Sequence, residues 1–229
     1  VNDGPKSLGL IVGIGPSAGI YYYRHLVRAF NTLPEPPRFF LAHADVATLR
    51  LLVAADDRDG MADYLAAFVE GLASAGCDVA AISATTAHLC FQQLITRSTI
   101  PIVSMLPAVR KGIRDSGFRR IALFGTRQTI ESDLFGSLPD VDVVRPSANE
   151  VDQIAAIYAR AVDRFGATPD DLFALEAIAK NLSRREAIEA VLVAGTDFSD
   201  AFEKYRPDYP FVDVSHLHIA AILESIASA

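Results

Sequence analysis

The chain is short of cysteine, short of positive charge and without a long hydrophobic run. Its two cysteines, Cys77 and Cys90, are too few for a disulfide framework. Both stand among apolar neighbours and read as buried structural thiols. Lys and Arg number 21 against 28 Asp and Glu, a net charge of −7. Phosphate binding needs a basic face, so nucleic acid is not an expected partner. A small anion stays open, because backbone amides at a helix start hold one whatever the global charge. No apolar run reaches the roughly 18–20 residues that span a bilayer, and no secretory h-region precedes a cleavage site. The expectation is a cytoplasmic protein with no membrane contact.

Cofactor signatures are thin as well. Gly13-Ile14-Gly15 is followed at once by Pro16, Ala18 stands where a dinucleotide loop has its third glycine, and no acidic residue closes the second expected strand. There is no Gly-x-x-x-x-Gly-Lys loop. His216 and His218 are a close pair without a third ligand at metal spacing. Neither cofactor nor metal is expected.

What is present is a core-forming composition, 51% apolar over 229 residues, arranged as alternating strands and helices. Strands are expected at Leu8–Val12, Phe39–Ala42, Val79–Ile82, Ile100–Val103, Arg120–Phe124, Val141–Val144, Ala190–Val193 and Phe211–Val214. Helices are expected over 18–32, 63–75, 87–96, 151–165, 170–181 and 217–226, with Gly76 ending the second as a cap. Short Gly and Pro breaks between such elements indicate a parallel α/β sheet. In the Tyr21-Tyr22-Tyr23 run, Tyr23 reads as core and Tyr21 or Tyr22 as lining a cleft or a dimer face.

The second half repeats the first. Ala84-Thr85 closes one apolar run and Gly195-Thr196 closes another, 111 positions later. Leu8 to Gly13 pairs with Ile121 to Thr126, and Ile100-Pro101-Ile102-Val103 with Tyr209-Pro210-Phe211-Val212, at similar offsets. A duplicated α/β half predicts two similar lobes. Ligands of parallel sheets bind beyond the carboxyl ends of the strands. Four such ends carry small or hydroxylic residues: Gly13 to Ser17, Ala84 to Thr86, Thr126 to Thr129 and Gly195 to Asp197. Unpaired N–H groups and Ser or Thr hydroxyls there suit a carboxylate.

Ala84-Thr85-Thr86-Ala87-His88 and Gly195-Thr196-Asp197 resemble the Cys-Asn-Thr-x-His and Gly-Cys-Thr-Glu motifs of the aspartate/glutamate (Asp/Glu/hydantoin) racemase superfamily. Gly13-Ile14-Gly15-Pro16-Ser17 resembles its opening glycine loop. Leu123-Phe124-Gly125-Thr126-Arg127-Gln128-Thr129 resembles its Leu-Leu-x-Thr-x-x-Thr segment. Asp213-Val214-Ser215-His216-Leu217-His218 resembles its closing Asp-(Ser/Thr)-Thr-x-x-His stretch, and Leu41 to Val46 falls at a polar, substrate-facing loop. The resemblance runs over about residues 8 to 225. It implies two flavodoxin-like parallel-sheet lobes related by a pseudo-twofold axis, with the active cleft between them, and a homodimer. The first lobe would be residues 1–105 plus 212–229, the second 106–211.

In that family two thiols exchange a proton on opposite faces of an acidic amino acid, without a cofactor. Here Ala84 and Gly195 stand at the thiol positions, so the chain reads as a divergent member lacking both. The resemblance makes Gly15, Ser17, Ala84, Thr85, Thr86, Thr126, Thr129, Gly195 and Thr196 candidates for substrate contact. Plain helix caps or turns are the structural reading of the threonines. His88, Asp197 and His218 are the candidate proton-transfer groups, since imidazole titrates near neutrality. Each also has a structural reading as a group bonded within its lobe. Three functions stay open: a cofactor-independent racemase-like enzyme forming a carbanion or enediolate from a small carboxylate (an acidic amino acid or diacid), a decarboxylase or lyase of a substituted diacid, and a non-catalytic carboxylate-binding protein. A fourth possibility makes Ala84 or Gly195 an introduced change.

Overall fold

The computed structural model describes residues 6–136, 138 and 140–227. Residues 1–5 and 228–229, which the first lobe was expected to include, lie outside them. The chain divides into two compact units, one running to Ser104 and resuming at His218, the other spanning Met105–Leu217.

The first unit contains β1 (Leu8–Val12), α1 (Pro16–Phe30), β2 (Phe39–His43), α2 (Val46–Ala54), α3 (Arg58–Ser74), β3 (Val79–Ile82), α4 (Phe91–Arg97) and β4 (Ile102–Val103). Its sheet has the order β2-β1-β3-β4, with every pairing parallel. The second contains α5 (Met105–Ser116), β5 (Arg120–Phe124), α6 (Arg127–Glu131), β6 (Asp142–Val144), α7 (Ala148–Asp163), α8 (Pro169–Glu186), β7 (Ala190–Val193), α9 (Ser199–Tyr205) and β8 (Phe211–Asp213). Its sheet order, β6-β5-β7-β8, is the same arrangement, again all parallel. The unit boundary falls inside the last helix, α10 (Val214–Ala227). Each unit is therefore a flavodoxin-like α/β fold.

The central strands read as unbroken apolar runs for a physical reason. Helices cover both faces of a parallel sheet, so its middle strands leave little for water. Val79–Ile82 and Ala190–Val193 are buried at every position. The helices start where side chains satisfy free N–H groups. Ser147 and Glu150 form a capping box on α7, and Thr168 and Asp171 form one on α8, with Pro169 in its first turn. Gly76 follows α3 at φ +86°, the left-handed value that a glycine adopts without strain.

Three expectations change. Helices α2, α5, α6 and α9 were not among the expected helices. Asp45 caps α2 by accepting from Thr48 N, and Pro107 sits in the first turn of α5, where its missing N–H breaks no helical bond. Leu41 to Val46 is therefore the end of β2 and the start of α2. The third change concerns α1. Tyr21 and Tyr22 are buried, while Tyr23 is 48% exposed and stacks on Phe39. Helical phase explains this: Ala18, Tyr22 and Leu26 share the face that packs on the sheet, and Tyr23 points about 100° away.

Among the described residues, no helix is long and apolar enough to cross a membrane. No group of three or more His, Cys, Asp or Glu among them could hold a metal ion. Both thiols are buried, and desolvation raises both, Cys90 to about 11. Cys90 Sγ donates to Ala87 O.

Candidate functional site at the strand ends

In a sheet of this order the chain leaves β1 toward one edge and returns to the other side at β3. The carboxyl ends of those two neighbours form a switch point, where the following loops diverge and leave a crevice. In the first unit that point is made by Gly13 to Ser17 and by Ser83 to Thr86. Ser83 ties the two ends together, with both its N–H and its hydroxyl donating to Ile11 O at 3.1 Å. Gly13 has φ +96°, and a Cβ there would lie 2.4 Å from Ala44 O, so the glycine lets the β1 loop pass under β2. Gly15 is the N-cap of α1 and makes no side-chain cap.

Two candidate ligand contacts have an unusual environment. The hydroxyls of Ser17 and Thr85 are buried and have no hydrogen-bond partner. Buried polar groups are nearly always paired, because an unmet one costs about 1–3 kcal/mol. Ser17 lies in the first turn of α1, at the end of β1, and Thr85 lies at the end of β3. Thr86 opens the short 3-10 turn after Thr85. Ala84 is buried in the apolar core of this unit.

His88 and His218 are both fully enclosed in the first unit. His88 Nδ1 donates to Ala84 O at 3.1 Å, and its ring stacks on Phe91. His218 Nε2 donates to Val103 O at 3.0 Å, so its Nδ1 is the acceptor for the Tyr22 hydroxyl, also at 3.0 Å. The two imidazoles meet edge to face at 5.8 Å. Burial lowers His88 to about 4 and His218 to about 3, with the neighbouring His88 depressing the latter further. Both rings are neutral near pH 7, and both nitrogens of His218 are engaged.

The second unit has its own switch point, at the ends of β5 and β7. Thr126 caps α6 by accepting from Thr129 N at 3.1 Å, and the two hydroxyls bond at 2.9 Å. Thr196, Asp197 and Phe198 form a 3-10 turn after β7 with Gly195 as its N-cap, and Thr196 and Asp197 are buried. Asp197 Oδ2 accepts from the Tyr158 hydroxyl at 2.8 Å. Desolvation and then the Asp197 charge raise the Tyr158 phenol well above its ordinary value, so it stays protonated. A Cβ at position 195 would sit 2.4 Å from Tyr158 Cε2 and 2.9 Å from Gly125 Cα. Beside this turn, half-buried Asp213 accepts from Ser199 Oγ at 2.9 Å and from Ser215 N at 2.7 Å. Burial raises its carboxyl to about 6.

Tyr158 and Ser199 were not singled out in the sequence, and Tyr22, read there as lining a cleft or a dimer face, is buried against His218. Tyr158 falls in the apolar repeat of α7, and nothing in linear order ties it to Asp197. Asp213 stood within a quoted motif, but its bond to Ser199 needs the fold.

Two flavodoxin-like units, each with a four-stranded all-parallel sheet and small or hydroxylic residues at its switch point, define the two-lobe α/β class. The chain belongs to the Asp/Glu/Hydantoin racemase family, whose pattern matches residues 11–222. Solved structures with the same fold include an aspartate racemase homologue from Pyrococcus horikoshii OT3, 23% identical, covering 98% of this chain and 100% of that one at a TM-score of 0.77. The aspartate racemase of Picrophilus torridus is 20% identical over 96% of this chain and 94% of its own, at 0.74. The maleate isomerase of Pseudomonas putida S16 with maleate is 17% identical over 95% and 90%, at 0.56.

Proposed function

We propose that this chain binds a small carboxylate and acts on it without a cofactor, through one-sided carbanion or enediolate chemistry such as decarboxylation or elimination. One observation carries the reading: the partnerless hydroxyls of Ser17 and Thr85 at the switch point of the first unit. Two buried donors held open at neighbouring strand ends suit the oxygens of a carboxylate, and a ligand there would relieve both. The similarity to a maleate isomerase with maleate adds a small carboxylate precedent on this fold.

Two-thiol racemisation does not suit these residues. Ala84 and Gly195 carry no proton, His218 has both nitrogens engaged, and His88 is a weak base with a pKa of about 4. Loss of CO₂ from a substituted malonate needs no base to start it: the electron pair of the broken C–C bond passes into the remaining carboxylate as an enediolate, and water then returns a proton to the carbon. The step needs donors that stabilise the enediolate as charge develops, and hydroxyls can supply these. A second reading, a non-catalytic carboxylate-binding protein, is favoured by the same neutral and engaged histidines.

Proton NMR in D₂O with aspartate, glutamate, substituted malonates and hydroxy-diacids separates these readings. The expected result is loss of a carboxylate, or deuterium entering one α-carbon without racemisation. Line broadening of one compound with no turnover identifies the binding protein. Racemisation of aspartate or glutamate overturns the one-sided reading, and no binding by any carboxylate overturns both.

A further inference from the structure

An open cavity of about 250 Å³ lies in the second unit, where the chain passes from α6 to the edge strand β6. Its floor is Leu123 of β5 and Ile130 of α6, both buried, so they offer it little surface. Its open walls are polar, since Asp133, Asp142 and Arg145 line it and all three are exposed. Drug-sized ligands occupy about 300–1,000 Å³, so the space suits a smaller molecule. The backbone contributes as well. Asp142 N–H donates to Arg119 O, toward β5, so strand alternation turns the N–H and C=O of Val143 away from β5, on the free edge of the sheet. Val143 lines the same cavity.

We propose that this cavity binds a small zwitterion, an α-amino acid with a short or polar side chain, through Arg145, Asp133 and the Val143 backbone. The charges select that class. Asp142 is held by the Arg120 guanidinium. Arg145 Nη2 reaches Asp133 Oδ1 only at 3.4 Å, and an exposed pair of that length contributes little to stability, so both groups are free to turn to a ligand. Two carboxylates and two guanidinium groups cancel. A plain anion on Arg145 would meet the Asp133 carboxylate beside it, and a plain cation on Asp133 would meet Arg145. A molecule with both charges lies antiparallel to the pair, its carboxylate on Arg145 and its ammonium on Asp133, and gains two charge-assisted hydrogen bonds. The Val143 N–H serves the same carboxylate and its C=O the ammonium. None of the strand-end groups takes part.

Titration of the full chain by ¹⁵N–¹H NMR tests this, with the backbone amides of Val143 and Arg145 as the local readout. The probes are alanine, propionate, which lacks the ammonium, and ethylamine, which lacks the carboxylate. Alanine is expected to shift both amides saturably, and each single-charge analogue to bind about tenfold more weakly or worse, as loss of a charge-assisted hydrogen bond does. Arg145→Met and Asp133→Asn should each weaken alanine by about tenfold. Both positions are exposed, so neither change is expected to disturb folding. Propionate binding here as tightly as alanine overturns the zwitterion in favour of an anion site, and ethylamine doing so overturns it in favour of a cation site. Native affinity in both variants overturns the roles of Arg145 and Asp133. Shifts that leave these two amides still, whatever alanine or propionate does elsewhere in the chain, overturn the site.

Discussion

The Tyr22 hydroxyl donates to Nδ1 of His218 at 3.0 Å, joining α1 to α10 inside the first unit. This bond fixes the imidazole tautomer, because His218 Nε2 must carry its proton to donate to Val103 O. The histidine is consequently a buried structural link between two helices and a strand. Tyr22→Phe removes the donor and leaves Nδ1 unmet in an apolar core, which costs about 1–3 kcal/mol. Thermal unfolding should show the lower Tm. An unchanged Tm would mean that the bond contributes nothing.

The two buried histidines give stability a direction with pH. Their folded values, about 4 and about 3, lie below the ordinary 6.5. Between these limits the unfolded chain binds more protons, so stability falls as pH drops from about 6.5 toward 4. Asp213 acts in the opposite sense. Its folded value of about 6 exceeds 3.8, so its contribution is complete below about 4 and is lost as pH rises through 6. Two histidines outweigh one carboxyl, and Tm should fall between pH 7 and 5. Asp213→Asn removes the opposing group and should steepen that fall. A flat profile in both proteins would contradict the buried, neutral state of the histidines.

Ser17→Ala and Thr85→Val separate ligand contact from folding. Each removes a hydroxyl that makes no bond in the folded chain, so Tm should hold or rise. Carboxylate affinity should drop about tenfold for each, the usual worth of a hydrogen bond to a charged group. If affinity is unchanged in both, these hydroxyls do not face the ligand.

Gly13→Ala should be among the most damaging single changes at the strand ends. The backbone stands at φ +96°, and the new methyl would meet the carbonyl oxygen of Ala44, which belongs to the backbone and cannot rotate aside. A loss of about 2 kcal/mol or more is expected from the conformation and the clash together. Chemical denaturation measures it directly, and a loss below about 0.5 kcal/mol would show that the loop has another path.

Seven strands were legible to within a residue at each end: Leu8–Val12, Phe39–His43, Val79–Ile82, Arg120–Phe124, Asp142–Val144, Ala190–Val193 and Phe211–Asp213. Val79–Ile82 and Ala190–Val193, buried at every position, have no polar residue to blur their limits. Strand β4 was less so, since Ile100 and Pro101 extend the apolar run without pairing. Helix α2 was hidden because Val46–Ala54 is apolar almost throughout, with exposed Leu51 and buried Leu49 giving no clear period.

At the site, local order was enough to place hydroxyls and glycines at strand ends, because the chain must turn there and small residues mark the turns. It also carried the repeat that makes two similar units, each with its own core. What it could not carry was which neighbours each group meets. His218 looked like a free acid or base until the fold set Tyr22 and Val103 against its two nitrogens. Gly195 looked like a vacancy until the fold brought Tyr158, 37 positions earlier, over it. Local sequence determines where the backbone turns and which face is apolar. Protonation, hydrogen-bond pairing and available space depend on atoms distant in the chain, and only the tertiary structure brings those together.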